Sequence, residues 1–239
     1  MLKSKRLWEI DTFRGIAIIM MIVYHIIFDL NYFGIYKINI YFPPLRVFLY
    51  SIGTIFLLIV GISLHLSFLK NQMKLKYLKR GLMIFFIGIL MTIVTWFYPH
   101  DGFIVFGVLH CIGLSIILSY PFLKLYYLNL VFGLILVSIG IFLTQFSFDF
   151  NYILFLGFRP NEFYTLDYFP ILPWFGVVLI GIFIGKLFYK KDQIKTKSSY
   201  LSENIFIKKL AFLGRHSLII YLIHQPILIA IILALNLIL

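Results

Sequence analysis

Residues 13–32 read FRGIAIIMMIVYHIIFDLNY, an apolar run interrupted by Arg14, His25 and Asp29. A run of this length can cross the ~30 Å hydrocarbon layer of a membrane as one helix. Because eleven residues of helix make about three turns, Arg14 and His25 lie on nearly the same face, about 16 Å apart along the axis. Asp29, four residues after His25, shares that face. Ionisable groups inside a bilayer are costly and usually mark a functional site.

The composition places the chain among membrane proteins. Hydrophobic residues make up 62% of the 239 and charged residues only 13%, which excludes an ordinary soluble domain. We predict an all-α, polytopic integral membrane helical bundle that forms a single domain over residues 1–239. The net charge of +12 does not indicate a nucleic-acid partner, because the basic residues lie in short loops between apolar runs.

About seven segments are long and apolar enough to be predicted as transmembrane helices. They are Phe13 to Tyr32, Arg46 to Leu69, Leu78 to Tyr98, Phe103 to Leu123, Leu125 to Phe146, Ile171 to Tyr189 and Ala211 to Ile238.

The distribution of Lys and Arg predicts the orientation. Of the 21 basic residues, all but Lys37, Arg46 and Arg159 fall on one side of the predicted spans. The positive-inside rule makes that side cytoplasmic, and with it the amino terminus. We therefore expect a multi-pass protein of the plasma membrane.

Two connecting segments differ in character. Residues 147–170 are predicted to be extracytoplasmic and are rich in aromatic residues, so they form either an interfacial aromatic belt or a lid over an acceptor pocket. Residues 190–209 are predicted to be a basic, solvated cytoplasmic linker without a site.

The first span suggests acid–base chemistry. A neutral His25 could accept a proton near pH 7, Asp29 could orient its ring, and Arg14 could meet phosphates at the cytoplasmic face. The alternative is that His25 and Asp29 only bond neighbouring helices. His110, and His224 with Gln225 before a kinking Pro226, are further polar groups within apolar runs. The six histidines lack metal-ligand spacing with carboxylates, so no metal centre is expected.

Four stretches carry a resemblance to a known family. The sequences EIDTFRGIAIIMMIVYHIIFD, FGVLHCIGLS, DYFPILPW and LGRHSLIIYLIHQPIL together resemble the heparan-alpha-glucosaminide N-acetyltransferase catalytic-domain family. The resemblance implies transfer of an acetyl group from cytoplasmic acetyl-CoA to a sugar across the membrane. It places Arg14 at the family's first-span arginine and His25 at its active-site position. Lysosomal members carry asparagine there and a histidine in a following glycine-rich stretch, which this chain lacks, so His25 becomes the better candidate base.

The resulting expectations cover catalysis and binding. His25 and Asp29 are the expected catalytic residues, and acetyl-CoA is the expected acyl donor, with no metal. The expected partners are a sugar or glycan acceptor, the lipid bilayer and a second copy of the chain in a homodimer. The candidate CoA contacts are Arg14, Arg80 and Arg215, and the candidate substrate or oxyanion contacts are His110, His224, Gln225, Asp167 and Trp174.

Several alternatives stay open at this point. The acceptor could be an amine or a hydroxyl, and transfer could be direct or pass through an acetyl-histidine. A rival hypothesis is a small transporter or exporter in which His25 and Asp29 relay protons. A membrane scaffold, in which polar groups only join helices, is the third.

Overall fold

The computed structural model describes residues 7–39, 42–150, 152–190 and 204–236. These residues form helices joined by turns, with two isolated β-bridges and no strand within the described ranges, which confirms the all-α class. The helices are α1 (Trp8–Tyr32), α2 (Pro43–Lys70), α3 (Lys74–Phe97), α4 (Val108–Leu118), α5 (Tyr127–Leu143), α6 (Ile171–Phe188), α7 (Ile205–Arg215) and α8 (Ser217–Asn236).

Most of these helices have membrane-spanning length. In the described part of the chain, α1, α2, α3, α6 and α8 are long and apolar enough to cross a bilayer, and α4 and α5 are shorter apolar helices. The structure is therefore that of a polytopic membrane protein. The count of seven spans and the cytoplasmic amino terminus stay predictions.

The chain divides into two compact units, Met1–Phe56 with Thr196–Leu239, and Leu57–Lys195. In the first unit, α1 packs against α7 and α8. The backbones of α1 and α7 meet at two glycines, since a Cβ added to Gly15 or Gly214 would collide with the carbonyl of Leu210 or Asp11. Ile18, Met21 and Ile52 form the buried core, while Ile16 and other apolar residues on the opposite side of α1 are exposed.

The second unit is built from helix pairs that also meet at glycines. Helix α3 packs against α4, and α5 packs against α6. A Cβ on Gly113 would collide with the α3 backbone at Phe85, and one on Gly176 with the α5 carbonyl of Gly133. Small residues at these positions let the helix backbones approach closely, as is usual for helices in a membrane.

The predicted fourth span, Phe103 to Leu123, is wrong in its extent. Helix α4 covers only Val108–Leu118, about 17 Å at 1.5 Å per residue. The preceding segment instead pairs with the end of the 147–170 loop, as the Phe169 N–H donates to the Phe106 carbonyl at 2.9 Å. Pro121 then begins a 3₁₀ turn that ends at Lys124.

The predicted last span, Ala211 to Ile238, is also corrected. Its first residues belong to the amphipathic helix α7, which ends at Arg215, and α8 begins only at Ser217. Arg215 therefore ends α7 and lies outside the helix of the last span. Residues 205–209 of the predicted linker are helical, whereas 191–203 and 237–239 lie outside the described residues.

Candidate active site

His25 lies on the packed side of α1. It shares that side with the buried Ile18 and Met21, opposite the exposed Ile19 and Val23, and is itself half-buried. Its ring Nδ1 lies 2.8 Å from the carbonyl oxygen of Met21, one turn earlier. Because a carbonyl can only accept, Nδ1 carries the proton in this contact, and the neutral ring then holds its lone pair on Nε2.

His224 of α8 lies directly beside this ring. The two imidazole centroids are 4.6 Å apart, with the ring planes at 78°. Its Nδ1 lies 2.6 Å from the carbonyl oxygen of Tyr221, so it too donates to the backbone. His224 is 8% exposed, and its Nε2 is buried without a hydrogen-bond partner among the described residues. The two rings therefore sit together, and in its neutral form each carries its lone pair on Nε2.

Asp29 joins the same site but contacts a different partner from the one expected. The Gln225 amide Nε2 donates to its Oδ1 at 2.7 Å, and Asp29 is only 2% exposed. The other carboxylate oxygen, Oδ2, has no partner among the described residues, so Asp29 does not hydrogen-bond to His25. The expected orientation of His25 by Asp29 is thus replaced by the Met21 carbonyl, and Asp29 instead fixes α8 next to its own helix.

Arg14 lies at the other end of α1, where α1 meets α7. Its Nη1 is 3.1 Å from Oδ1 of Asp11, one turn earlier, and the Asp11 side chain is nearly buried. The close contact between Asp11 and Gly214 places this turn of α1 against the last turn of α7, which ends at Arg215. Arg14 and Arg215, two of the expected CoA-binding arginines, therefore belong to helix turns that pack against each other.

Helix α7 contributes a groove that the sequence analysis missed. The groove has a volume of about 480 Å³ and is lined by Lys208, Lys209, Phe212, Leu213 and Arg215. Three cations beside apolar surface suit a ligand that combines phosphates with an apolar part. The signal in the sequence was the alternation of apolar and basic residues over 205–215 with helical spacing.

The remaining candidates belong to the second unit. The Gly107 N–H donates to Nδ1 of His110 at 3.2 Å, so the ring proton is on Nε2, 3.4 Å from the hydroxyl oxygen of Thr92. This tautomer is opposite to that of His25. Asp167 accepts from the Val108 N–H at 2.9 Å, at the amino-terminal end of α4, where a carboxylate is stabilised.

Two further candidates also belong to the second unit. Trp174 is buried against Phe169, with ring centroids 4.8 Å apart. Arg80 is exposed on α3. Within the part of the chain that the structure describes, no group of three or more His, Cys, Asp or Glu side chains could hold a metal ion.

Comparison with known proteins gives the family. The sequence profile described as heparan-alpha-glucosaminide N-acetyltransferase, catalytic, matches residues 6–226, which is nearly the whole chain. No curated protein and no solved structure matches it significantly. The match includes α1 with His25 and α8 as far as His224, Gln225 and Pro226. The chain therefore belongs to the heparan-alpha-glucosaminide N-acetyltransferase catalytic family, and membership implies a membrane acetyltransferase.

Proposed function

We propose that this plasma-membrane protein transfers the acetyl group of cytoplasmic acetyl-CoA to a hydroxyl or amine of a sugar or glycan presented from the other side. The observation that carries the proposal is the pairing of His25 and His224, with both Nδ1 atoms bonded to backbone carbonyls and both Nε2 atoms left basic. Family membership supports the reaction type.

His25 is the proposed general base. Its Nε2 takes the proton of the acceptor O–H or N–H while the acceptor atom attacks the thioester carbonyl carbon. The carbon–sulfur bond then breaks, the CoA thiolate leaves, and the imidazolium returns the proton to the sulfur. The Met21 carbonyl stabilises the imidazolium, because it accepts a hydrogen bond from the Nδ1–H throughout.

His224 is the proposed second contact of the acceptor. In its neutral form the free Nε2 is a hydrogen-bond acceptor, so it suits a sugar O–H or N–H rather than an oxyanion. The buried Gln225 Oε1 and Asp29 Oδ2, which lack partners among the described residues, offer further acceptors for such hydroxyl groups. The expected oxyanion role of His224 therefore requires a protonated ring.

The CoA phosphates are proposed to bind at the α7 groove. Lys208, Lys209 and Arg215 line it, and the α1 turn that carries Arg14 packs against the same helix. Along α1, Arg14 and His25 are separated by about 16 Å, which leaves room for the pantetheine arm between phosphates and thioester. Exposed Ile205 and Phe206 next to the exposed Lys208 and Lys209 suit a position at the cytoplasmic membrane surface.

Thiol release from acetyl-CoA tests the proposal. Detergent-solubilised protein mixed with acetyl-labelled CoA should release free CoA thiol, and glucosamine should increase the rate and receive the label. Boiled protein serves as the control. A proton-coupled transporter would release no thiol and label no sugar, and that result would refute the transferase.

A further inference from the structure

Residues that follow α5 and residues of the 147–170 loop line a pocket in the second unit. Arg159 is the one cationic residue in this lining. The pocket has a volume of about 320 Å³, at the lower end of the range for small-molecule sites. It is lined by Arg159 together with the polar residues Gln145 and Ser147 and the aromatic residue Phe163. Polar groups together with an aromatic ring suit a sugar, which has both hydroxyl groups and an apolar face.

Arg159 is held in place before any ligand binds. Its carbonyl accepts from the Phe148 N–H at 2.9 Å, and its guanidinium carbon lies 5.6 Å from the centroid of the Tyr168 ring. The Tyr168 hydroxyl in turn donates to the Leu154 carbonyl at 2.8 Å. A long side chain fixed in this way loses little conformational entropy when it binds an anion.

Among the described residues, no acidic side chain neutralises the charge of Arg159. Its Nε is buried without a hydrogen-bond partner among the described residues, and Arg159 forms no ion pair with them. Asp149, in the same loop, accepts from Asn161 instead, at 2.8 Å. Burial raises the pKa of Tyr168 to about 12, so the stacked phenol stays neutral as well. Burying a cation without a partner anion costs free energy, which points to an anion supplied by a ligand.

We propose that this pocket binds an acidic group (a carboxylate, sulfate or phosphate) on the acceptor sugar, with Arg159 as its principal contact. A guanidinium offers two parallel N–H donors to such a group. The inference rests on the proposed function, because it names the chemical class of the acceptor. It also accounts for a basic residue on the side of the membrane that the Lys and Arg distribution leaves almost free of them.

Protection of Arg159 from chemical modification tests the site in the wild-type protein. Phenylglyoxal modifies accessible guanidinium groups, and mass spectrometry of the digested protein measures the rate at Arg159. Glucuronate, glucose 6-sulfate, glucose 6-phosphate and neutral glucose are the probes. At least one anionic sugar, supplied at a concentration ten times its dissociation constant, should slow the modification of Arg159 about ten-fold. Glucose should leave the rate unchanged. Equal rates with all four sugars overturn the proposal.

Arg46, which is exposed and predicted to lie on the same side, is the internal control and should be modified at the same rate throughout.

Variants provide a second measurement that does not depend on modification. Calorimetry should show the protecting sugar binding at least about ten-fold more weakly to Arg159→Gln, with part of the affinity kept in Arg159→Lys. Arg46→Gln should bind as the wild type does. Undiminished binding to Arg159→Gln would contradict the site. If that variant does not fold, the protection experiment on the wild-type protein tests the site instead.

Release of CoA thiol, measured with glucosamine and with each of the four probe sugars, separates the two proposals. Turnover without protection of Arg159 refutes the anion site alone. Protection without turnover refutes the transferase alone.

Discussion

The imidazole centroids of His25 and His224 are 4.6 Å apart, and each ring donates its Nδ1 proton to a backbone carbonyl of its own helix. Because the Nδ1–H of each ring donates to a backbone carbonyl, the neutral rings present two Nε2 lone pairs in one partly buried space. Gln225 and Asp29 already provide a polar contact between the two helices. In the proposed function, Nε2 of His224 is the atom that contacts the acceptor.

Replacing His224 tests its role in binding the acceptor. His224→Phe keeps an aromatic ring against His25 but removes the basic Nε2. We expect kcat to fall about a hundredfold while the affinity for acetyl-CoA is unchanged, because the acceptor loses a contact beside the base. Steady-state kinetics and CoA binding measure the two quantities. His100→Asn is the control and should keep wild-type rates, because His100 lies on an exposed turn of the second unit with a φ of +70° that asparagine tolerates. A wild-type kcat for His224→Phe would exclude the role.

The hydrogen bond between Asp29 and Gln225 should stabilise the first unit. A double-mutant cycle of Asp29→Ala and Gln225→Ala should give a coupling free energy of about 1.5–3 kcal/mol, as for bonds to a charged group. Equilibrium unfolding in mixed micelles measures it. The matched pair is Gln225→Ala with Asn31→Ala, because the Asn31 side chain bonds to Ile38 of its own loop. Those two effects should simply add, and additivity for Asp29 and Gln225 would show that their bond contributes nothing.

The contact between α1 and α7 should not tolerate a side chain larger than hydrogen at Gly214. Gly214→Ala should reduce the free energy of unfolding by about 2 kcal/mol or more, because the new methyl group meets the Asp11 carbonyl and the backbone must move. Gly34→Ala is the control, since it has open space around it but a φ of +72°. That backbone conformation costs only about 1–2 kcal/mol. A smaller loss for Gly214→Ala than for Gly34→Ala would contradict the packing described for α7.

The cations of the α7 groove should determine the affinity for acetyl-CoA. The triple variant Lys208→Gln, Lys209→Gln, Arg215→Gln should raise KM for acetyl-CoA about ten-fold or more, because charge-assisted contacts to phosphates are lost. The kcat at saturation should change little. In the wild type, KM should rise with salt, and this dependence should weaken in the variant. Lys124→Gln, on an exposed turn of the second unit, is the control. An unchanged KM would place the phosphates elsewhere.

The sequence was sufficient for those features of the fold that local patterns determine. Long apolar runs located α1, α2, α3 and α6 to within a few residues, because hydrophobic length is read directly from the chain. It failed where distant segments compete for the same residues. The start of the fourth predicted span pairs with the 165–169 segment instead of continuing a helix, and that pairing leaves no local signal. The amphipathic spacing of α7 was present in the sequence, but its first residues were assigned to the predicted linker and its last residues to the predicted last span.

The sequence predicted the candidate site with the same limit. Helical spacing placed Arg14, His25 and Asp29 on one face, but it could not show what each side chain contacts. The Asp29 carboxylate bonds to Gln225, which lies 196 positions away, and His25 is oriented by a backbone carbonyl. Tautomers depend on such contacts, so the acid–base properties of His25 and His110 could not be told apart from sequence alone.

The central claim is that Nε2 of His25 removes the acceptor proton, and the turnover of His25→Ala measures this directly. The experiment compares the rate of labelled acetyl transfer with the affinity for acetyl-CoA and the unfolding midpoint of the same preparation. We expect kcat to fall by about a hundredfold or more, with affinity and folding retained. Wild-type transfer by a folded His25→Ala protein would contradict the account.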